Sequence, residues 1–342
     1  MVAHSIDTDA LAHRLAAGVE GLGTPPYLVV VDANTLMSSI AYQARKKVRP
    51  ALVGVSRSTP WRVFATTRVF DEVARRLVRL SGGDVDLLEQ MRRILVEEYR
   101  PVITWVEVDP TEHTDPRVRA VGERDPDDLA TAVLAELVAP CVVWSDDGDL
   151  IDPGVADGEW RSTSALAMLV VEGRSRQESV ALFVSFPMFA VGAASRRVAQ
   201  RAPAIGYFAL GAAAGVVLVL LASPDLRAAV RARLGKVMGP IAYALLDEFI
   251  DAVVVEAEGK SGIAPRAFSA GGLLSPRAQV ARVLARSDEP LLAREIRDVL
   301  LAFDERSAPP LVVVREVLSS SPAFRRHGRY RWAFGAGEAP TP

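Results

Sequence analysis

Apolar positions along the first 160 residues follow two alternating patterns. Residues 27–32 (YLVVVD), 62–65 (RVFA), 103–108 (ITWVEV) and 141–145 (CVVWS) are short, mostly apolar runs, the pattern of strands buried on both faces of a parallel sheet. Between them the spacing becomes helical, over 35–47, 67–80, 84–99 and 126–138. In 67–80, Val69, Phe70, Val73, Leu77 and Leu80 form one stripe, as a helix packed on a sheet requires. An amphipathic stretch at 5–23, with Leu11, Leu15 and Val19 on one face, precedes the first strand and is broken by GTPP. Strand and helix in alternation predict an α/β fold, a parallel sheet in a three-layer α/β/α arrangement.

From about residue 161 the pattern changes. Two long uncharged stretches, 179–195 and 203–224, flank the segment RRVAQR. Residues 204–222 carry no charge and are long enough to cross a bilayer as a helix. Two readings follow: membrane attachment through 179–222, or a buried helical hairpin or homo-oligomer interface rich in small residues such as Gly206, Gly211 and Gly215. Two crossings would translocate the arginines of RRVAQR against the positive-inside tendency, and one crossing would separate the two ends of the chain. Amphipathic spacing resumes over 225–256, and 257–275 (EGKSGIAPRAFSAGGLLSP) has the Gly, Ser and Pro content of a linker. Three helical stretches follow from 276, and then PAFRRHGRYRWAFG alternates like a small β-hairpin turning at Gly328. The predicted organisation is 1–160, 161–256, 257–275 as linker, and 276–336.

Composition narrows the function classes. An apolar share of 50% with 24% charged residues is that of a folded protein. A net charge of −2 excludes a globally basic nucleic-acid binder and leaves room for a local basic patch. Cys141 is the single cysteine, so neither an intrachain disulfide nor a cysteine-based zinc site can form. The start MVAHSIDTDALAHRL lacks the basic and apolar regions of a secretory signal, which predicts a cytoplasmic location for the first domain. His4, His13, His113 and His327 are scattered without metal-ligand spacing.

Carboxylates carry the candidate chemistry. Asp32 (VVVDANTL), Asp71 and Glu72 (TTRVFDEV), Asp127 and Asp128 (RDPDDLATAVLAE), and Asp146, Asp147 and Asp149 (VVWSDDGDL) fall where strands end or helices begin. In an open parallel sheet these places converge outside the carboxyl ends of the strands. Carboxylates gathered there repel one another unless a divalent cation neutralises them. All-oxygen ligands favour Mg²⁺ or Mn²⁺, which can activate water and clamp a phosphodiester. Any single aspartate has an alternative use as a helix cap or turn residue, so the argument rests on the ordered set. Glu72 lies nearer than Asp71 to the apolar stripe of its helix. A helical wheel places Asp127 nearer the Leu129, Val133, Leu137 face, whereas spacing to the LAE segment favours Asp128.

These four segments, in this order across roughly 27–160, resemble the motifs of PIN-domain nucleases. The resemblance implies a metal-dependent ribonuclease, commonly the toxin of a toxin–antitoxin pair, and so an antitoxin-like partner. By motif position it implies Asp32, Glu72, Asp128 and Asp147 as catalytic metal ligands, with Asn34 and Ser145 as polar supports and Asp149 as an outer acid. Ser145 stands where the family often has Thr, and Gly148 where it often has a charged residue. The DANTL segment partly resembles the start of haloacid-dehalogenase-type phosphatases, which need a second carboxylate where this chain has Asn34.

Residues 276–334 resemble a winged helix-turn-helix of the HARE type. That resemblance implies DNA or RNA binding, with the helix from about Leu311 in the major groove and Arg325, Arg326, Arg329 and Arg331 on phosphates. Taken together, the sequence predicts a metal-dependent endoribonuclease acting on RNA, with a C-terminal module that targets or controls it. The alternative is a non-catalytic, membrane-associated nucleic-acid-binding regulator.

Overall fold

The computed structural model describes residues 11–12, 25–111, 113–194, 240–271 and 274–335. Four strands, β1 (Tyr27–Val31), β2 (Trp61–Thr66), β3 (Ile103–Val106) and β4 (Val142–Trp144), form a parallel sheet in the order β3-β2-β1-β4. Every residue of β1 and β4 is buried, which is why these runs read as unbroken apolar sequence. The chain leaves β1 for β2 and β3 on one side and returns for β4 on the other. β1 and β4 therefore flank the topological switch point, where an open parallel sheet forms its crevice. Their register pairs Val31 with Trp144, so the residues that follow the two strands emerge side by side.

The helices after the strands are α1 (Ala33–Lys46), α2 (Ala51–Ser56), α3 (Thr67–Leu80), α4 (Val85–Ile94), α5 (Pro116–Arg124), α6 (Leu129–Val138) and α7 (Gly148–Ile151). A π-helical turn, Leu95–Tyr99, extends α4. Helices α2 and α5 have no counterpart in the periodicity analysis. Pro50 opens α2, and Asp115 caps α5 by accepting from the Arg117 amide with Pro116 in the first turn. Such short elements leave too few turns for a period to register.

Residues 262–342 do not stand apart from this sheet: with Met1–Ala165 they make one compact unit. They hold α10 (Pro276–Arg286), α11 (Ala293–Phe303) and α12 (Leu311–Ser320). They also hold a three-stranded antiparallel sheet of β5 (Leu291–Leu292), β6 (Phe324–His327) and β7 (Arg331–Phe334), ordered β5-β7-β6. The buried side chains of α10 to α12 continue one apolar core with those of α6. Polar groups match across the join. Cys141 and Phe268 exchange two backbone hydrogen bonds of 3.1 and 2.7 Å. Arg286 donates to the carbonyls of Val138 (3.2 Å) and Pro140 (2.9 Å), and Arg62 on β2 donates to that of Ala285 (2.9 Å).

The second unit, Leu166–Ser261, contains most of two helices, α8 (Trp160–Ala194) and α9 (Pro240–Ile263). They run antiparallel and approach through glycines. A Cβ on Gly173 would lie 2.5 Å from the Ala252 carbonyl, and one on Gly259 would lie 2.7 Å from that of Leu166. Gln177 donates to Glu256 across the pair at 2.6 Å. The stretch 257–275 is thus only partly a connector: helix continues to Ile263, and Gly259 serves close packing rather than a flexible joint. Gly173→Leu is expected to destabilise this helix pair by about 1–3 kcal/mol, the usual effect of overpacking. Chemical denaturation of wild type and variant would measure it, and an unchanged midpoint would contradict the close approach. The stretch 204–222 lies outside the described residues. Among the described residues, no helix is long and apolar enough to cross a membrane.

Candidate active site

Asp32 follows β1 and caps α1, its Oδ1 accepting from the Thr35 amide at 2.6 Å. Ser145 follows β4, and the register of the two strands sets its hydroxyl to donate to Asp32 Oδ2. Thr35 Oγ1 donates to the Trp144 carbonyl at 2.9 Å, tying α1 to the end of β4. Both Asp32 and Ser145 are buried. The Ser145 hydroxyl also accepts from the Asp147 amide at 2.9 Å, which orients the turn into α7. Asp147 Oδ1 caps that short helix through the Asp149 amide (3.1 Å), while its Oδ2 accepts from Asn34 Nδ2 (2.9 Å).

From Asn34 the network passes to α3. Arg76 Nη1 donates to Asn34 Oδ1 at 3.4 Å, and Arg76 Nη2 pairs with Glu72 Oε1 at 2.9 Å. Glu72 is half-buried while Asp71 is exposed. Asp128 sits immediately before α6 without capping it. One of its oxygens, Oδ2, is buried and has no hydrogen-bond partner. Asp125, Asp128 and Asp149 each offer a carboxylate oxygen, and these atoms lie within 4.8 Å of one another.

The acids also feel one another's charge. Burial pushes the Asp32 carboxyl up to about 6, against the hydrogen bonds from Ser145 and Thr35 that stabilise its charge. Burial also pushes Asp128 up to about 7, reinforced by the negative charges of Asp147, Asp125, Asp32 and Glu72. Glu72 is raised by burial and by Asp127, with Arg76 opposing. A buried, unpartnered carboxylate oxygen amid four like charges is costly. All-oxygen donors in that arrangement fit a hard divalent cation, which would satisfy the orphaned oxygen and neutralise the repulsion.

Of the positions read from sequence, Asp32, Asn34, Ser145 and Asp147 are linked by hydrogen bonds, and Glu72 joins them through Arg76. Asp128 and Asp149 approach each other closely. Asp127 is exposed and borders a 360 Å³ cleft with Glu72 and the α3 arginines Arg68, Arg75, Arg76 and Arg79. Asp125 was missed: in the acidic run ERDPDD it reads as a turn residue, and its Oδ1 does accept from the Asp127 amide at 2.8 Å. Its three-residue spacing to Asp128 was the available signal. Among the C-terminal arginines, Arg326 and Arg329 are exposed at the β6–β7 turn and Arg325 is partly buried. Arg331 is engaged with the Pro290 carbonyl (2.7 Å) and Glu295 (3.5 Å).

The acidic site thus lies at the switch point of a parallel α/β sheet. Residues 30–169 match the family model described as PIN domain, which supports a PIN domain in the N-terminal part of the chain. PIN domains are generally nucleases and commonly use divalent metal ions. Comparison with curated proteins and with solved structures gave no match.

Proposed function

We propose that this N-terminal domain is a metal-dependent endoribonuclease acting on single-stranded RNA. The observation that carries the reading is Asp128: a buried, unpartnered carboxylate oxygen facing the charges of Asp32, Glu72, Asp125 and Asp147. Asp32, Asp128, Asp147 and Glu72 would hold Mg²⁺ or Mn²⁺, with Asp125 and Asp149 in support. A cation bound there supplies Lewis-acid polarisation of the phosphodiester and a lower pKa for the attacking water. The protein's own contribution is positioning. Ser145 and Thr35 fix the Asp32 carboxylate, and Asn34 fixes Asp147. Arg76 holds Glu72 at the edge of the site.

Substrate class is argued from the site's two flanks. On one side the arginines of α3 line the cleft beside Glu72 and Asp127, where they can track a phosphate backbone. On the other, a 720 Å³ cavity is lined by Asn34, Tyr42, Arg45, Lys46 and Trp160. Tyr42 is 51% exposed, and aromatic faces among cations suit unstacked bases. Labelled single-stranded RNA and DNA, incubated with the full chain in Mn²⁺, Mg²⁺ or EDTA, test the reading. Cleavage of RNA that requires metal is expected; inertness of every substrate in both metals would sink it.

We further propose that 276–334 act as a winged helix that binds nucleic acid. The order of three helices followed by a β-hairpin, with Arg326 and Arg329 exposed at the hairpin turn, supports this reading. For Arg326→Ala, Arg329→Ala in the full chain, the slope of log affinity for duplex DNA against log salt should fall by about 2, roughly one per lost phosphate contact. Filter binding in EDTA reads this slope, and an unaltered slope would assign the module to protein contacts.

A further inference from the structure

The 720 Å³ cavity beside α1 joins the acidic site at Asn34, which lines it and also donates to Asp147. One face of α1 forms its long wall. Asn34, Ser38, Tyr42 and Lys46 recur every four residues, with Arg45 beside them, so they follow one another along that face. At the rise of an α-helix, Asn34 and Tyr42 stand about 12 Å apart along the axis. Leu80 and the first residues of α8, Trp160 and Arg161, also line the cavity.

Its charge is opposite to that of the site it joins. Among the described residues no carboxylate lines the cavity, whereas Arg45, Lys46 and Arg161 do. Arg161 pairs with Asp146 at 3.0 Å, and its guanidinium lies over the Trp160 ring. Arg45 donates to the Leu80 carbonyl at 3.2 Å. Neither Arg45 nor Lys46 has a carboxylate partner among the described residues. Basic side chains in a last turn complement the helix dipole, yet these two do so at the mouth of a cavity. Ser38, Tyr42, Arg45 and Lys46 are all exposed, so their polar groups and the Tyr42 ring are within reach of a ligand. An exposed aromatic ring beside unpaired cations suits a ligand that is both flat and anionic.

We propose that this face of α1 is the track for the unpaired RNA strand on one side of the cut, with Tyr42 stacking on a base and Arg45 and Lys46 holding the phosphates beyond it. The place of the cut rests on the nuclease reading above; the binding does not. Ser38, between Asn34 and Tyr42, offers a hydroxyl to a phosphate or a 2′-hydroxyl. Phosphates of a stacked strand advance about 3.4 Å each, and those of an unstacked strand farther, so the distance from Asn34 to Tyr42 holds about three nucleotides at most. Tyr42 thus contacts a base at a fixed remove from the acids. A duplex has no free base face to offer it, which makes the track selective for single strands.

Fluorescence anisotropy of the full chain in EDTA, where nothing is cut, tests it with a short labelled single-stranded RNA and the corresponding duplex. Tyr42→Ala should bind the single strand about tenfold more weakly, the loss of one stacked base, while Tyr42→Phe keeps the ring and should stay within about twofold of wild type. Lys46→Ala should weaken binding about threefold through one lost phosphate contact. Duplex binding should not respond to Tyr42. The replaced side chains are exposed, so melting midpoints should match wild type; if Tyr42→Ala melts early, Lys46→Glu takes its place. Single-strand binding by Tyr42→Ala equal to wild type would overturn the proposal. So would an equal loss on the duplex, or no single-strand binding by wild type at high micromolar concentration. The nuclease reading is separable: metal-dependent cleavage with Tyr42→Ala binding as wild type removes the track alone. A Tyr42-dependent single-strand affinity without cleavage in any metal keeps the track and removes the nuclease.

Discussion

Asp128→Asn is expected to reduce metal-dependent cleavage on the order of a thousandfold and, at the same time, to stabilise the metal-free protein. The two effects share one cause. The Asp128 carboxylate is raised to about 7 by burial and by the charges of Asp147, Asp125, Asp32 and Glu72. An unfolded chain keeps an ordinary aspartate near 4. Between about pH 4 and 7 the folded, metal-free state therefore binds the extra proton, and stability falls as pH rises through that window. Above it the ionised carboxylate is fully destabilising, on the order of 1 kcal/mol once solvent screening of a half-buried group is allowed for. Asparagine keeps the shape, removes the repulsion and flattens this pH dependence, while it deletes a ligand. Melting curves from pH 4 to 8, with and without Mn²⁺, would show a variant that is steadier without metal and gains nothing from it. Cleavage by Asp128→Asn within tenfold of wild type, with the same metal response, would remove Asp128 from the site.

The same residue shows how far sequence reasoning reaches. Strands β1 and β4 are legible because both faces are covered, so every position is apolar and no other element explains YLVVV or VVW. Once those strands are placed, Asp32, Ser145 and Asp147 follow, since strand ends on either side of a switch point must converge. The choice between Asp127 and Asp128 is not legible in that way. A helical wheel presumes that the helix has begun, but regular helix starts only at Leu129, and the turn before it exposes Asp127 and carries Asp128 inward. Asp125 is hidden for the same reason: a turn brings it back toward Asp149, and turns carry no period. Most opaque is the fate of the C-terminal residues. Arg277, Arg282 and Arg286 give α10 the composition of an exposed helix, yet Arg277 and Arg286 are buried and Arg282 nearly so. The Val138 and Pro140 carbonyls that Arg286 reaches lie more than a hundred residues away, where local spacing has no reach.

That distant pairing implies the second large effect, the loss of the nuclease-type domain's stability when its C-terminal partner is removed. A chain ending at residue 165 would expose the face of α6 that packs on α10, the ring of Phe64 that meets Phe334 at 5.6 Å, and the backbone of Cys141 that pairs with Phe268. Such a fragment is expected to aggregate or melt without a cooperative transition, even though it contains every acid of the site. Within the intact chain, Arg286→Ala isolates the polar part of this join. It leaves the Val138 and Pro140 carbonyls without the Arg286 donor and opens a void, which should destabilise the protein by about 2–4 kcal/mol. Arg282→Met, one turn away, removes an arginine that donates no hydrogen bond and interacts with Glu136 through charge alone, and should cost less than Arg286→Ala. The contrast is the test, because Arg286 donates to three carbonyls while Arg282, on the same helix face, donates no hydrogen bond. Equal denaturation midpoints for the two variants, or a soluble 1–165 fragment as stable as the whole chain, would mean that α10 merely rests on the sheet domain. Lower stability for Arg286→Ala alone would mean that residues 262–342 complete the fold on which the acidic site is built.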